Sequence, residues 1–422
     1  MKERRANLQN SFFDGVFFAL MTGFTQDFFV PFLLNMGGGT RHAGLIFAIP
    51  NLAASILQVK GADLVEKLKS RKLAITIFVS LQCVTLALIA YFSFTPGVSI
   101  WVFIVTVTVF TGFGSLSLPP LGSLVTEFVP KRRWGKYFGW RNRIMGLITV
   151  GAAFLAGYIL KLCKPIELIL GFFIIFVSAL LFRLISLFFL VKLKEPPFHA
   201  EKEHYFSFKD FLKTGGNFKK FVFFTASMSF SIHMAAPYFA VLMIRDFNFS
   251  YLLYTAIIST GNLAIFFMTK RWGQVADSVG NVKIMKLTSR LIAFVPLFWI
   301  FNHNPVFLFA VQLFAGTLYG GYLLATTNYV YDLSSSQNRS RSIAYFNAFN
   351  GISICAGALL SSFLVNYLPP VFGFKILTLL LLSSLMRITV TFFIPFKIEE
   401  VRAVKNVNSF KLFFCILSGK KT

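Results

Sequence analysis

Arg183-Leu-Ile-Ser-Leu-Phe-Phe-Leu-Val-Lys192 returns near the end of the chain as Arg387-Ile-Thr-Val-Thr-Phe-Phe-Ile-Pro-Phe-Lys397. Other pairs echo each other in the same order. Pro31 matches Pro237, and Pro50-Asn-Leu-Ala53 matches Gly261-Asn-Leu-Ala264. Phe110-Thr-Gly112 matches Phe314-Ala-Gly316, and Asn142 with Gly146 matches Asn347 with Gly351. No single pair carries weight, but an ordered set spaced by about 205 residues marks an internal duplication. Two copies of a membrane-spanning unit form an architecture in which one copy rocks against the other around a site between them.

The membrane enters through composition. Of the 422 residues, 56% are hydrophobic and only 14% are charged, too little charge for the surface of a soluble domain. A helix needs about 20 apolar residues to cross a bilayer core roughly 30 Å thick. Twelve stretches qualify: 11–35, 43–60, 72–93, 98–127, 137–160, 166–191, 219–244, 250–270, 284–302, 305–331, 343–367 and 371–396. The alternating strands of a transmembrane barrel are missing. The expected fold is all-α and polytopic, with twelve transmembrane helices in two six-helix pseudo-repeats. The expected division is a first bundle over 1–191, a cytoplasmic linker over 192–218, a second bundle over 219–396 and a tail over 397–422. Asp14 and Asp27 interrupt the first apolar stretch, which is longer than a signal peptide requires and lacks a clear cleavage site. It is expected to be a permanent span.

A net charge of +25 raises the possibility of nucleic-acid binding, but its distribution points to topology. Measured against the twelve spans, only Arg41, Lys161, Lys164, Arg245 and Lys375 fall in loops on the side opposite the N-terminus. The remaining loop and terminal Lys and Arg share the other side. This is the positive-inside pattern, and it puts both termini in the cytoplasm. The expected location is a bacterial cytoplasmic (inner) membrane, with no nucleic-acid partner and the chain working as a monomer. Cys83, Cys163, Cys355 and Cys415 show no paired or metal-binding spacing, so neither metal nor other cofactor is expected. No Walker-type loop is present. Within the linker, Ser207-Phe-Lys-Asp210 has capping-box spacing and predicts a short amphipathic surface helix. Phe410, Phe413, Phe414 and Leu417 among lysines predict another in the tail.

Six-plus-six parallel repeats with cytoplasmic termini and a polar central loop resemble the major facilitator superfamily of secondary transporters, over the chain to about residue 396. That family's loop between spans 2 and 3 carries an aspartate and a basic cluster between glycines. Here the place holds Asp63, Lys67, Arg71 and Lys72, with both glycine positions altered. The second copy keeps Gly273, Asp277 and Gly280. The resemblance implies a latch at the cytoplasmic face built on Asp63, Lys67, Gly273 and Asp277. Ordinary solvated loop charges are the competing reading.

Ionisable groups inside spans are costly and mark cavities or partners. Asp27 stands four residues before Pro31, and His233 four before Pro237. At about 1.5 Å of rise per residue, both lie at or beyond the bilayer midplane from the cytoplasm. In the superfamily the spans that carry them line the central cavity. Asp27, His233 and the shallower Asp14 are therefore the proton-coupling candidates. Arg141 and Arg143 lie at the depth of Asp14 but cannot share a helix face. One should face inward, as an ion-pair partner of Asp14 or as a bidentate anion binder. Arg183, Arg290 and Arg387 read as snorkelling anchors. The polar stripe of the fourth span and its copy in the tenth give Ser115, Gln312, Tyr319, Tyr322, Thr326 and Tyr329, with Arg141, as substrate-cavity candidates. Small residues in such a stripe also serve helix packing. The expected function is secondary active transport of a small organic solute by alternating access, coupled to protons. An efflux antiporter of the same fold is one alternative, although the proline of the family's antiporter motif is absent from the fifth span. A lipid transporter without ion coupling and a transporter-like sensor are the others. A chain of this kind is not an enzyme.

Overall fold

The computed structural model describes residues 2–95, 97–130, 134–196, 216–333, 339–393 and 398–401. The two expected surface helices of the linker and the tail lie outside them. The fold is all-α. Among the described residues, eleven helices or helix pairs are long and apolar enough to cross a membrane. Span 1 is Glu3–Asn35, span 3 Arg71–Phe92, span 4 Ile100–Phe128, span 5 Tyr137–Cys163 and span 6 Leu168–Val191. Span 7 is Asn217–Asp246, span 8 Tyr251–Val279, span 9 Asn281–Phe301, span 10 Pro305–Leu333, span 11 Tyr345–Leu364 and span 12 Lys375–Phe393. The remaining expected span, 43–60, lies within the 29-residue helix Thr40–Leu68 and is span 2.

Three spans are broken, and the breaks follow from sequence. Span 1 is helical to Gly23, passes through a 3₁₀ turn at Gln26–Phe28, and resumes at Phe29–Asn35. Span 7 is helical to His233, resumes at Tyr238–Val241, and runs on as a π-helix over Leu242–Asp246. Proline lacks an N–H, so Pro31 cannot bond the carbonyl of Asp27 four residues back, and Pro237 cannot bond that of His233. Each copy thus interrupts its first helix just where its titratable residue stands. In span 9, Asn281–Ile292 and Val295–Phe301 are separate helices with Pro296 at the start of the second. A π-helix over Thr389–Phe393 ends span 12.

The chain packs as two compact units. One is Met1–Glu201 with Pro237–Ala256, and the other is Lys202–Ala236 with Ile257–Thr422. The division cuts span 7 at its break and span 8 near its start. The core of the first unit is a phenylalanine cluster. Phe32 meets Phe103 at 5.0 Å and Phe176 at 5.4 Å, both edge to face, and Phe29 meets Phe110 at 5.8 Å in the same manner. Aromatic pairs of this kind add about 0.5–1.5 kcal/mol each beyond area burial.

Close helix approach in the second unit rests on glycine. A Cβ at Gly357 of span 11 would collide with the Phe230 carbonyl of span 7, and one at Gly316 of span 10 with the Gly261 carbonyl of span 8. Backbone cannot yield as a flexible side-chain tip can. Gly357→Val is therefore expected to cost about 1–3 kcal/mol of stability, read as a lower unfolding midpoint in detergent, while Gly122→Val, which meets nothing nearby, should leave it unchanged.

Candidate functional site

The freed carbonyl of Asp27 is taken up by a side chain. Tyr254, at the start of span 8 and packed in the first unit, donates its hydroxyl to that oxygen at 3.0 Å. Thr25 turns its own hydroxyl back to the Met21 carbonyl at 2.9 Å, and Phe28 and Phe29 are buried around the turn. The Asp27 carboxylate itself makes no hydrogen bond or ion pair among the described residues. His233, in the second unit, ends the inner helix of span 7. Its Nδ1 lies 2.7 Å from the Ser229 carbonyl, which assigns the proton to that nitrogen.

Asp14 sits in a buried network of the first unit. Its carboxylate accepts from the Ser186 hydroxyl at 2.7 Å. Arg183 donates to Ser186 at 2.9 Å and to the Gln82 side chain at 2.8 Å, and its guanidinium lies over the Phe18 ring at 4.9 Å. Gln82 in turn donates to the Phe110 carbonyl at 3.3 Å. Asp14 is 1% and Arg183 2% exposed. This corrects two expectations. Arg183 is buried and linked to Asp14 through the Ser186 hydroxyl, and is not a snorkelling anchor, because Gln82 on span 3 and Ser186 on its own span take its N–H groups inside the bundle. Arg387 is equally buried. Of the three arginines, only Arg290 is exposed, lying over Phe392. Arg141 faces span 1, where it donates to the Ser11 carbonyl at 3.2 Å beside Gly15, while Arg143 is exposed.

One end of each unit holds a cluster, so that the cluster is built twice. In the first unit Glu195, just past span 6, caps span 3: it accepts from the backbone N–H of Arg71 at 2.9 Å and of Lys72 at 3.1 Å. It also takes the Ser70 hydroxyl at 2.6 Å and pairs with the Arg71 guanidinium at 3.1 Å. Arg71 reaches Glu127 at the end of span 4 at 2.5 Å. The Asn7 amide clasps the backbone of Lys194, donating and accepting at 3.0 Å each way. In the second unit Glu400 accepts from the N–H of Val282 at 2.9 Å, Asn281 donates to Asp332 at 2.8 Å, and Asn217 clasps the backbone of Glu399 at 2.6 and 2.8 Å. Gly280, at φ +86°, leaves room for the Glu400 carboxylate. Carboxylates at helix N-termini satisfy free N–H groups and complement the helix dipole.

The other candidates fall in distinct places. Ser115 donates to Ala54 and Gly112 carbonyls, in a seam between spans 4 and 2. Thr326 bonds back to Tyr322 on its own helix. Gln312 lies against Gly261. Tyr329 joins the second unit's cluster, accepting from Asn217 at 2.7 Å and donating to the Glu399 carbonyl at 2.6 Å. Tyr319 is half-buried with its hydroxyl beside Arg387, and Tyr322 is buried with a hydroxyl that lacks a partner among the described residues. Of the expected latch residues, Lys67 and Asp277 are exposed, and Gly273 makes ordinary contact with Leu324. The side chain of Asp63 lies outside the described residues. A separate cleft of about 630 Å³ between spans 1 and 6 is lined only by apolar residues, among them Phe13, Phe17, Leu184 and Phe188, a lining that suits acyl chains and not a polar solute.

The sequence model of the Major Facilitator Superfamily matches residues 12–301 and again 221–413, so it fits the chain from either copy. The chain belongs to the major facilitator superfamily. No curated protein matches this sequence. Among solved structures of the superfamily's fold, a point mutant of the nucleoside transporter NupG aligns with a TM-score of 0.71 at 14% identity, covering 92% of this chain and 98% of that one. A bacterial homolog of the human lysosomal transporter Spinster, inward-facing and unoccupied, aligns at 0.68 and 12%, covering 86% and 83%. The human organic anion transporter MFSD10 aligns at 0.60 and 12%, covering 92% and 99%. At such identities the likeness establishes the fold. As a member of this superfamily the chain is an integral membrane protein of the class that carries small solutes. Sequence reading missed Gln82, Ser186, Glu195, Glu400, Asn7 and Asn217. A repeated glutamate just past spans 6 and 12, and a glutamine inside an apolar span, were the available signals.

Proposed function

We propose that this superfamily member moves a small organic solute by alternating access, with protonation of Asp27 biasing the exchange and His233 serving as the counterpart in the second copy. The observation that carries this reading is the Asp27 carboxylate. It stands at a helix break within the membrane, among buried phenylalanines, with no cation beside it among the described residues. A carboxylate so placed is neutralised by a proton or by a cationic ligand. His233 occupies the matching break of span 7, and discontinuous helices are where secondary transporters gather their binding groups. The lopsided basic loops support an inner-membrane location with both termini cytoplasmic.

The test is solute uptake into proteoliposomes under an imposed pH gradient. The solute panel would include nucleosides and organic anions, which NupG and MFSD10 carry by their descriptions. A gradient should drive accumulation by wild type, and Asp27→Asn should abolish accumulation while leaving downhill exchange. Equal accumulation by Asp27→Asn would overturn the coupling assignment. Gradient-driven extrusion in place of uptake would convert the reading to an antiporter.

A further inference from the structure

Arg183 and Arg387 occupy equivalent places in the two copies, and both are 2% exposed, but their surroundings differ. Around Arg183 the first unit assembles Gln82, Ser186 and, through Ser186, the carboxylate of Asp14. The second copy has lost these partners. The spacing that pairs Asp27 with His233 pairs Asp14 with Lys220, and the spacing that pairs Arg183 with Arg387 pairs Ser186 with Val390. No described carboxylate forms an ion pair with Arg387. Its Nη1 donates to the Ile292 carbonyl at 3.3 Å and its Nη2 to the Ile232 carbonyl at 3.4 Å. Its Nε, wholly buried, has no partner among the described residues. His233 stands nearby and adds no negative charge.

Both carbonyls lie at C-terminal ends of helices, where spans 9 and 7 break. Their partial negative charge makes an empty site tolerable, but long bonds hold the cation weakly. Among the described residues, the side-chain oxygen beside the guanidinium is the hydroxyl of Tyr319. Tyr322, one turn along span 10, adds a second buried hydroxyl without a partner among the described residues. Span 12 passes into a π-helix directly after Arg387, a distortion frequent at functional sites.

We infer that Arg387, with the hydroxyls of Tyr319 and Tyr322, binds the carboxylate or phosphate of an anionic solute, which supplies the negative charge that Asp14 supplies to Arg183. The guanidinium presents a planar set of donors matched to either group. Tyr319, half-buried, holds the guanidinium in the empty state and turns to donate to the bound oxygen. The inference rests on the transporter reading and names the class of its solute. It also explains why the same arginine is kept in both copies while its surroundings are not: one is neutralised from within, and the other is left to be neutralised by cargo.

The test is thermal unfolding of the full chain in detergent with benzoate or inorganic phosphate, and with benzamide as the neutral comparison. Benzoate or phosphate should raise the midpoint of wild type, and benzamide should not. Arg387→Gln should weaken the anion response by about 10- to 100-fold in midpoint-effective concentration, the range for losing a charged hydrogen-bonding partner, with part regained by Arg387→Lys. Should Arg387→Gln not fold, Tyr319→Phe should still weaken the anion response, measured as the shift from that variant's own starting midpoint. Absence of any anion response, or an equal response in Arg387→Gln and Tyr319→Phe, overturns the site. Uptake of a neutral solute by the same preparation would then leave the transporter reading standing, whereas anion binding without flux of any solute would count against that reading and keep the site.

Discussion

Asp14→Ala is expected to destabilise the protein by about 3–5 kcal/mol, the cost of leaving one member of a buried charge pair alone. The Arg183 guanidinium is buried on every side and cannot reach water without unpacking spans 1, 3 and 6. Its hydrogen bonds to Gln82 and Ser186 would survive the substitution, but the carboxylate behind Ser186 is what neutralises the charge. No solvent can take the place of that charge partner, so its loss outweighs loss of the one hydrogen bond, worth about 1.5–3 kcal/mol. Denaturation in detergent measures it. The double variant Asp14→Ala with Arg183→Met should recover much of the loss, because it removes the stranded charge and not merely a contact. A double variant as unstable as the single one would show that the network acts through packing alone.

Glu195→Gln is the second large effect, expected at about 3 kcal/mol. The carboxylate serves four donors at once, from Ser70, Arg71 and Lys72, and an amide can serve them all neither by charge nor by lone pairs. The variant also carries a pH signature. Partial burial alone would push the Glu195 carboxyl up, but the Ser70 hydroxyl, the two backbone N–H groups and the Arg71 side chain together hold it below the ordinary carboxylate range. A group depressed in the folded state contributes fully above its unfolded pKa, and loses that contribution as pH falls through the folded value. Wild type should thus lose stability relative to Glu195→Gln from about pH 5 downward. Midpoints of the two proteins that run parallel across that window would remove Glu195 from its role as the charge cap of span 3.

What could be read ahead of the structure divides by physical cause. The spans, the repeat and the break residues were legible because hydrophobic run length, duplication and proline act locally. Asp27 and His233 are legible for the same reason: each stands four residues before a proline, and that spacing alone fixes which carbonyl is freed. The partners of Arg183 were not legible. Ser186 is a local partner, three residues along the same helix, but Gln82 and Asp14 sit on two other helices, and only packing brings them to Arg183. An arginine near a helix end looks like an anchor until another helix is shown to solvate its head. The Glu195 cluster is half legible. The loop between spans 2 and 3 marks the right stretch, yet among the described residues Arg71, and not Lys67, makes the ion pairs. Which of several neighbouring charges turns inward depends on where Glu127 and Glu195 arrive from elsewhere in the chain.

The carbonyl that Pro31 leaves without a helical donor has a consequence for divergence. Because proline withholds its N–H whatever stands four places earlier, the residue there is not needed to free the carbonyl. One copy has put an acid there and the other a base, on the same backbone joint. A hydroxyl such as that of Tyr254 can engage or release the leftover carbonyl without tearing any helical hydrogen bond. The joint is inherited hardware, and the side chain mounted on it can be exchanged as the cargo changes.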